Sequence, residues 1–171
     1  MSREEETERR FFEFVGKYVL FFQTIESKID QIILLGKGHE NWATSQKYLA
    51  TNNFVTRKVK RAYTMLTNEK PFNKRSDEDW LEFLTSTHSR MLEQCQKRAR
   101  LIHAHFEWSF VEIGGPVIRS YRSLEDDAAT FEQEGLTTAI QEAYLQEVAE
   151  LALAYGQILT QCAHLSGTDN A

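Results

Sequence analysis

The chain has little of what breaks or staples a fold. Its 171 residues include 2 prolines and 8 glycines, too few to punctuate a sandwich or barrel of many short strands. The 2 cysteines, Cys95 and Cys162, stand 67 positions apart without metal-type neighbours. That spacing offers neither a zinc cluster nor a dithiol redox motif, and both are expected as buried free thiols. No stretch approaches the roughly 18 uninterrupted apolar residues of a membrane span. The opening MSREEETERR is acidic and lacks an apolar core of signal-peptide length, so a cytoplasmic protein with no membrane partner is expected. A phosphate-cradling glycine loop and a Gly-x-Ser-x-Gly elbow are missing, which leaves nucleotide hydrolases and serine esterases without support, and no HExxH accompanies His103 and His105 to suggest a metal site. No metal and no cofactor is expected.

Positive charge is missing from the last third. All 20 Lys and Arg precede residue 123, giving a formal charge of +4 over residues 1–122 and -9 over residues 123–171. Basic density peaks where Arg57, Lys58, Lys60, Arg61, Lys70, Lys74 and Arg75 oppose only Glu69. Such a run supplies either an electropositive surface for phosphates or a solvated helix face with a loop.

What is present favours helix. Hydrophobic residues make up 42% and charged residues 26% of the chain, near the globular average. Phe11, Val15, Tyr18, Phe22, Ile25, Ile29 and Ile32 alternate steps of four and three, which predicts a long helix from about Glu4 to Leu35. Phe14, Leu20, Phe21 and Ile33 widen its stripe, and Gly36 with Gly38 supply a stop. The weakly patterned stretch from His39 to Asn53 fits a loop or short helix anchored by Trp42, Tyr48 and Leu49. A second helix is predicted from about Asn53 to Thr67, ended by Pro71. Ser76 and Asp79 resemble a capping box opening a third, whose inward stripe is Leu81, Leu84, His88, Met91, Cys95 and Ile102, with Arg98 near its centre. The period fails between Phe106 and Tyr121, where an extended arm or hairpin is expected; residues 123–134 are expected to begin another helical turn. Ile140, Tyr144, Val148, Leu151, Tyr155, Ile158 and Cys162 then define a long final helix. The expected fold is all-α: a single domain over residues 1–171, a four- to five-helix bundle with a short irregular or β-like insert near residues 106–121.

The chemistry concentrates in Lys97-Arg98-Ala99-Arg100-Leu101-Ile102-His103-Ala104-His105-Phe106. A permanently charged guanidinium suits a phosphate and the charge that builds on it, and an imidazole with an ordinary pKa of about 6.5 exchanges protons near neutrality. Arg98 and His103 enclose four residues, and Arg100 with His105 repeat that spacing. The segment resembles the HEPN superfamily of small helical proteins from toxin–antitoxin and other defence systems, whose signature is Arg, four to six residues, then His. The Leu101-Ile102-His103 run and Phe106 follow the family pattern, whereas Ala99 replaces the Asn that follows the Arg in many members.

The resemblance implies a metal-independent endoribonuclease in which a ribose 2′-hydroxyl attacks the neighbouring phosphate. It implies Arg98 and His103 as catalytic residues, with Arg100 and His105 as possible assistants. Five positions along a helix correspond to about 140° and roughly 7.5 Å, so the helix must end between Arg98 and His103 or two copies must combine. The family's habit of facing motifs implies a homodimer, RNA as partner, and a protein or nucleotidyltransferase-type antitoxin. Arg57, Lys58, Lys60, Arg61, Trp108, Arg119 and Arg122 are the candidate RNA contacts. The alternatives are that Arg98 bridges to an acid, that His103 closes a helix, and that Phe106 and Trp108 pin the insert. A noncatalytic HEPN-like RNA- or protein-binding module, with Ala99 as its mark, is the competing reading.

Overall fold

The computed structural model describes residues 3–38, 42–51, 54–75, 77–125 and 128–167, without the side chains of residues 3, 42 and 122–131. His39, Asn53 and Ser76 lie outside the described residues, and so does the side chain of Trp42. Among the described residues five helices and three strands follow in the order α1 (Arg3–Lys37), α2 (Trp42–Thr51), α3 (Val55–Asn68), α4 (Glu78–Ile102), β1 (His105–Glu107), β2 (Val117–Glu125), β3 (Ala128–Leu136) and α5 (Thr138–Gly167), with a 3-10 turn at Phe72–Lys74. No described helix is long and apolar enough to cross a membrane. Residues 1–20 with 96–148 form one compact unit, and residues 21–95 with 149–171 form another; α1, α4 and α5 contribute to both.

In the second unit the four-three stripe of α1 is buried at Phe22, Ile25, Ile29 and Ile32, and Ile33 joins it. Val59, Ala62, Met65 and Leu66 of α3 are buried too, as are Leu151, Tyr155, Ile158 and Cys162 of α5. Each large aliphatic chain removed from water contributes about 1.5–3 kcal/mol. Burial pushes the Cys162 thiol up to about 12, so it is an inert core group. Gly36 is inside α1, not at its stop: a Cβ there would meet Met65 Cε at 2.2 Å and Phe72 Cε2 at 2.7 Å. The stop is Gly38, at φ +72°, where a Cβ would strain the left-handed backbone.

Asp77 caps α4 by accepting a hydrogen bond from the Trp80 amide at 3.1 Å. The buried positions of α4 are Trp80, Leu84, Thr87, Met91, Gln94 and Leu101. Four expected positions, Leu81, His88, Cys95 and Ile102, are instead half-buried or exposed. Trp80 and Leu101 set the face, and the helical repeat carries Thr87 and Gln94 inward with them. In α1, likewise, Leu20 and Phe21 are exposed instead of widening the stripe.

The first unit holds the sheet. Its strands lie in the order β1-β2-β3, antiparallel throughout. His105 faces Ser120 and Phe106 faces Arg119 across β1 and β2; Arg119 faces Glu134 and Tyr121 faces Glu132 across β2 and β3. The expected insert is therefore real but longer, and the helical turn expected over residues 123–134 is replaced by paired strands. The reason is cross-strand pairing: Tyr121 donates to Glu132 at 2.7 Å and Arg119 pairs with Glu134, contacts that a count of acids along one segment does not contain. Val117 of β2, Leu136 of β3 and Val111 are buried, as are Phe11, Phe14 and Tyr18 of α1. Phe11 meets Phe106 and Trp108 edge-on, with ring centroids 5.0 and 5.3 Å away. Between β1 and β2 the chain turns through Gly114, at φ +87°.

Candidate functional site

The Arg98–His103 segment spans the end of α4. The helix stops at Ile102, yet the His103 amide still donates to the Ala99 carbonyl at 3.0 Å. His103 therefore closes the last turn, and the helical offset of about 140° and roughly 7.5 Å from Arg98 is kept. Arg98 is half-buried on the face that carries Leu101 inward, whereas Ala99 and His103 are exposed. Within one copy, the guanidinium and the imidazole point in different directions.

The second pair also diverges. Arg100 is half-buried, with its guanidinium 5.2 Å from the centroid of the Tyr121 ring. Tyr121 shares its side of the sheet with Arg119 and Glu134, because residues two apart on a strand project alike. His105 pairs with Ser120 and therefore occupies the opposite side, where it is exposed.

In the first unit a cation that the sequence offered as a phosphate contact is buried. Arg119 is 1% exposed. Its Nε donates to Glu134 Oε2 at 2.8 Å, its Nη2 also donates to that oxygen, and Nη2 donates to Tyr144 Oη at 2.8 Å. Its Nη1 is buried without a hydrogen-bond partner in the described structure. The guanidinium carbon is 5.4 Å from the Tyr121 centroid and 5.5 Å from that of Tyr144. Lys97 Nζ lies 5.5 Å from the same Tyr144 ring. Lys97, Tyr144, Arg119, Tyr121 and Arg100 thus form a continuous ladder in which three cations alternate with two aromatic rings. Each contact is worth about 0.5–2 kcal/mol, more where water is excluded. Hydrogen bonding to Glu132 comes first among the causes that raise the Tyr121 pKa above that of an ordinary phenol, followed by burial.

The remaining candidate RNA contacts divide sharply. Lys58 is 6% exposed and reaches Glu26 and Asp30 of α1 at 3.0 Å each. Burial pulls its pKa down, but these two carboxylates outweigh that effect and hold it above the ordinary lysine value. Arg61 is clamped by both carboxylate oxygens of Glu69, one of them at 2.9 Å. Arg57, 5.0 Å from the exposed Phe54 ring, and Lys60 face solvent. Trp108 packs on Phe11 and Phe12. The side chain of Arg122 lies outside the described residues.

Elsewhere, His88 stacks on Tyr63 with centroids 4.2 Å apart and planes 17° apart, its Nδ1 buried without a hydrogen-bond partner among the described residues. Burial, then the charge of Lys60, lowers its pKa. Among the described residues no three His, Cys, Asp or Glu side chains cluster in a way that could hold a metal ion.

Sequence reasoning missed Glu134, Tyr121 and Tyr144 as partners of Arg119. The available signal was strand parity: Val117, Arg119 and Tyr121 alternate, and Val117 is plainly a core residue. Comparisons with protein-family models, with curated proteins and with solved structures give no match.

Proposed function

We propose that this chain is a metal-independent endoribonuclease of the HEPN type that works as a homodimer on RNA. The observation that carries the reading is the position of the motif at the end of α4. A permanently charged Arg98 sits within the last turns, and His103 is exposed where the helix stops. Because the two diverge within one copy, two copies facing each other are needed to bring guanidinium and imidazole to one phosphate. A symmetric pair supplies two imidazoles, one to take a proton and one to give it.

In the reaction, the 2′-oxygen attacks phosphorus, the 2′-O–P bond forms and the P–O5′ bond breaks. The 2′-hydroxyl proton passes to one imidazole, and the departing 5′-oxygen takes a proton from the other. The products are a 2′,3′-cyclic phosphate and a 5′-hydroxyl, with no net change in protons or electrons. Arg98 stabilises the charge that accumulates on the pentacoordinate phosphorus. Of the assisting residues, Arg100 is the better placed, since it is on the helix with Arg98. A defence role would bring restraint by a separate protein, of the nucleotidyltransferase type in some HEPN systems.

One observation favours a noncatalytic RNA- or protein-binding module instead. Ala99 is exposed beside Arg98, and a methyl group there can neither orient the guanidinium nor bond to a phosphate. Purified protein incubated with single-stranded and structured RNA in excess chelator separates the two readings. Cleavage lost in Arg98→Ala and in His103→Ala supports the enzyme; intact RNA with measurable binding supports the module.

A further inference from the structure

We propose that Arg100 binds the RNA backbone beside the Arg98–His103 motif, and that Arg119 is the positioning residue that holds it there through the Tyr121 ring. The proposal deepens the ribonuclease reading and rests on its premise that RNA is the ligand. The argument begins with Arg119. A buried ion pair is often no more stabilising than apolar residues of the same size, so pinning the hairpin to α5 does not require a guanidinium. A cation 1% exposed and 5.4 and 5.5 Å from two ring centroids does something an apolar residue would not: it fixes both rings by hydrogen bond and by charge. Tyr144 is held by its hydroxyl at 2.8 Å, and Tyr121 by its own bond to Glu132 at 2.7 Å.

Those rings are the platforms for the outer cations. Arg100 lies 5.2 Å from Tyr121, and Lys97 lies 5.5 Å from Tyr144. Among the described residues no carboxylate pairs with Arg100, while Glu134 and Glu132 are bonded to Arg119 and Tyr121. The ladder therefore presents the Arg100 guanidinium two positions from Arg98 along the helix. A half-buried guanidinium lying on a ring has lost rotamer freedom before the ligand arrives, so a phosphate that meets it costs less ordering.

The test uses the full chain with two fluorescein-labelled single-stranded RNAs of one sequence, one unmodified and one 2′-O-methylated throughout. The methylated strand cannot be cut, so its anisotropy reports binding alone. Arg100→Gln weakens binding of the methylated strand about fivefold, and the salt slope falls by about 0.7, one phosphate contact on a single strand. Arg119→Met gives a similar loss while still unfolding in one cooperative transition. The double variant binds no worse than either single one, because both remove the same contact, and Arg119→Lys recovers part of the affinity. Unchanged affinity in Arg100→Gln, or additive losses in the double variant, overturns the proposal. If Arg119→Met does not fold, Tyr121→Leu replaces it: the Arg119–Glu134 pair stays and the ring beneath Arg100 goes, with the same non-additivity expected. Binding that depends on Arg100 with the unmodified strand left uncut sinks the nuclease reading and leaves this one standing. Cutting that continues with binding indifferent to Arg100 does the reverse.

Discussion

Arg119 Nη2 donates to Tyr144 Oη at 2.8 Å, and this bond ties the middle strand of the sheet to the final helix. Because the same guanidinium also holds Glu134 on the neighbouring strand, three consecutive elements, β2, β3 and α5, meet at one buried charge. Around it stand the aromatic rings on which the cations of the motif helix rest.

Removing the counter-charge tests how much the fold depends on that meeting point. Glu134→Gln leaves a guanidinium in the core without its carboxylate. Breaking a fully buried pair costs about 3–5 kcal/mol; the Glu134 side chain is 32% exposed, so solvent screening lowers the expected loss to about 2 kcal/mol. Urea denaturation monitored by circular dichroism gives the figure, and a loss below about 0.5 kcal/mol contradicts a stabilising role for the pair.

Acid sensitivity should come in part from His88. Its pKa in the folded chain is depressed by burial and by Lys60, so the unfolded chain binds more protons in the window below its ordinary value of 6.5. The stability it contributes is present above pH 6.5 and is lost as pH falls through the depressed value. His88→Phe keeps the stacking on Tyr63 and removes the titration. Denaturation midpoints compared at pH 7 and pH 5 should fall less in the variant than in the native chain, and equal falls would exclude His88 as a contributor.

Ala99 offers a test by gain. Ala99→Asn returns an amide beside Arg98 at an exposed helical position. The substitution costs about 0.6 kcal/mol of helix propensity. One added hydrogen bond to a charged group, at about 1.5 kcal/mol, should raise RNA cleavage roughly tenfold. A slower or unchanged rate in a folded variant means that the amide has no work to do here.

Trp108 was open to two uses, stacking on bases or pinning the insert. Its ring stands 5.3 Å from Phe11 and 6.0 Å from Phe12. Trp108→Ala should therefore cost about 2–3 kcal/mol of stability, below the range for a fully buried aromatic because the indole is half-exposed. Thermal denaturation reads this directly, and an unchanged melt would return the indole to the list of free stacking groups.

The helices were legible because their signal is local. The stripe from Phe11 to Ile32 has a period that no strand could share, and α1 runs where it predicts. The α4 stripe was harder, since apolar residues flank both possible faces and only packing chooses Trp80 and Leu101 over Leu81 and Ile102. The hairpin was half legible. Phe106 to Tyr121 breaks the helical period, but β3 is acidic and polar, and its extended form follows from pairing with β2. The basic run was partly legible for a related reason. Counting charge from Arg57 to Arg75 cannot see Glu26 and Asp30, which come from α1 to neutralise Lys58. The spacing of Arg98 and His103 is read along the chain, whereas the partners of Arg119 needed the sheet register.

The most direct measurement of the central claim is the chemistry of the cut ends. Single-stranded RNA incubated with the purified chain in excess chelator should give fragments ending in a 2′,3′-cyclic phosphate and beginning with a 5′-hydroxyl. The rate should fall by about two to four orders of magnitude in His103→Ala, the scale of a lost general acid or base, and comparably in Arg98→Ala. RNA that survives the native chain intact, or cleavage that persists in both variants, would contradict the account.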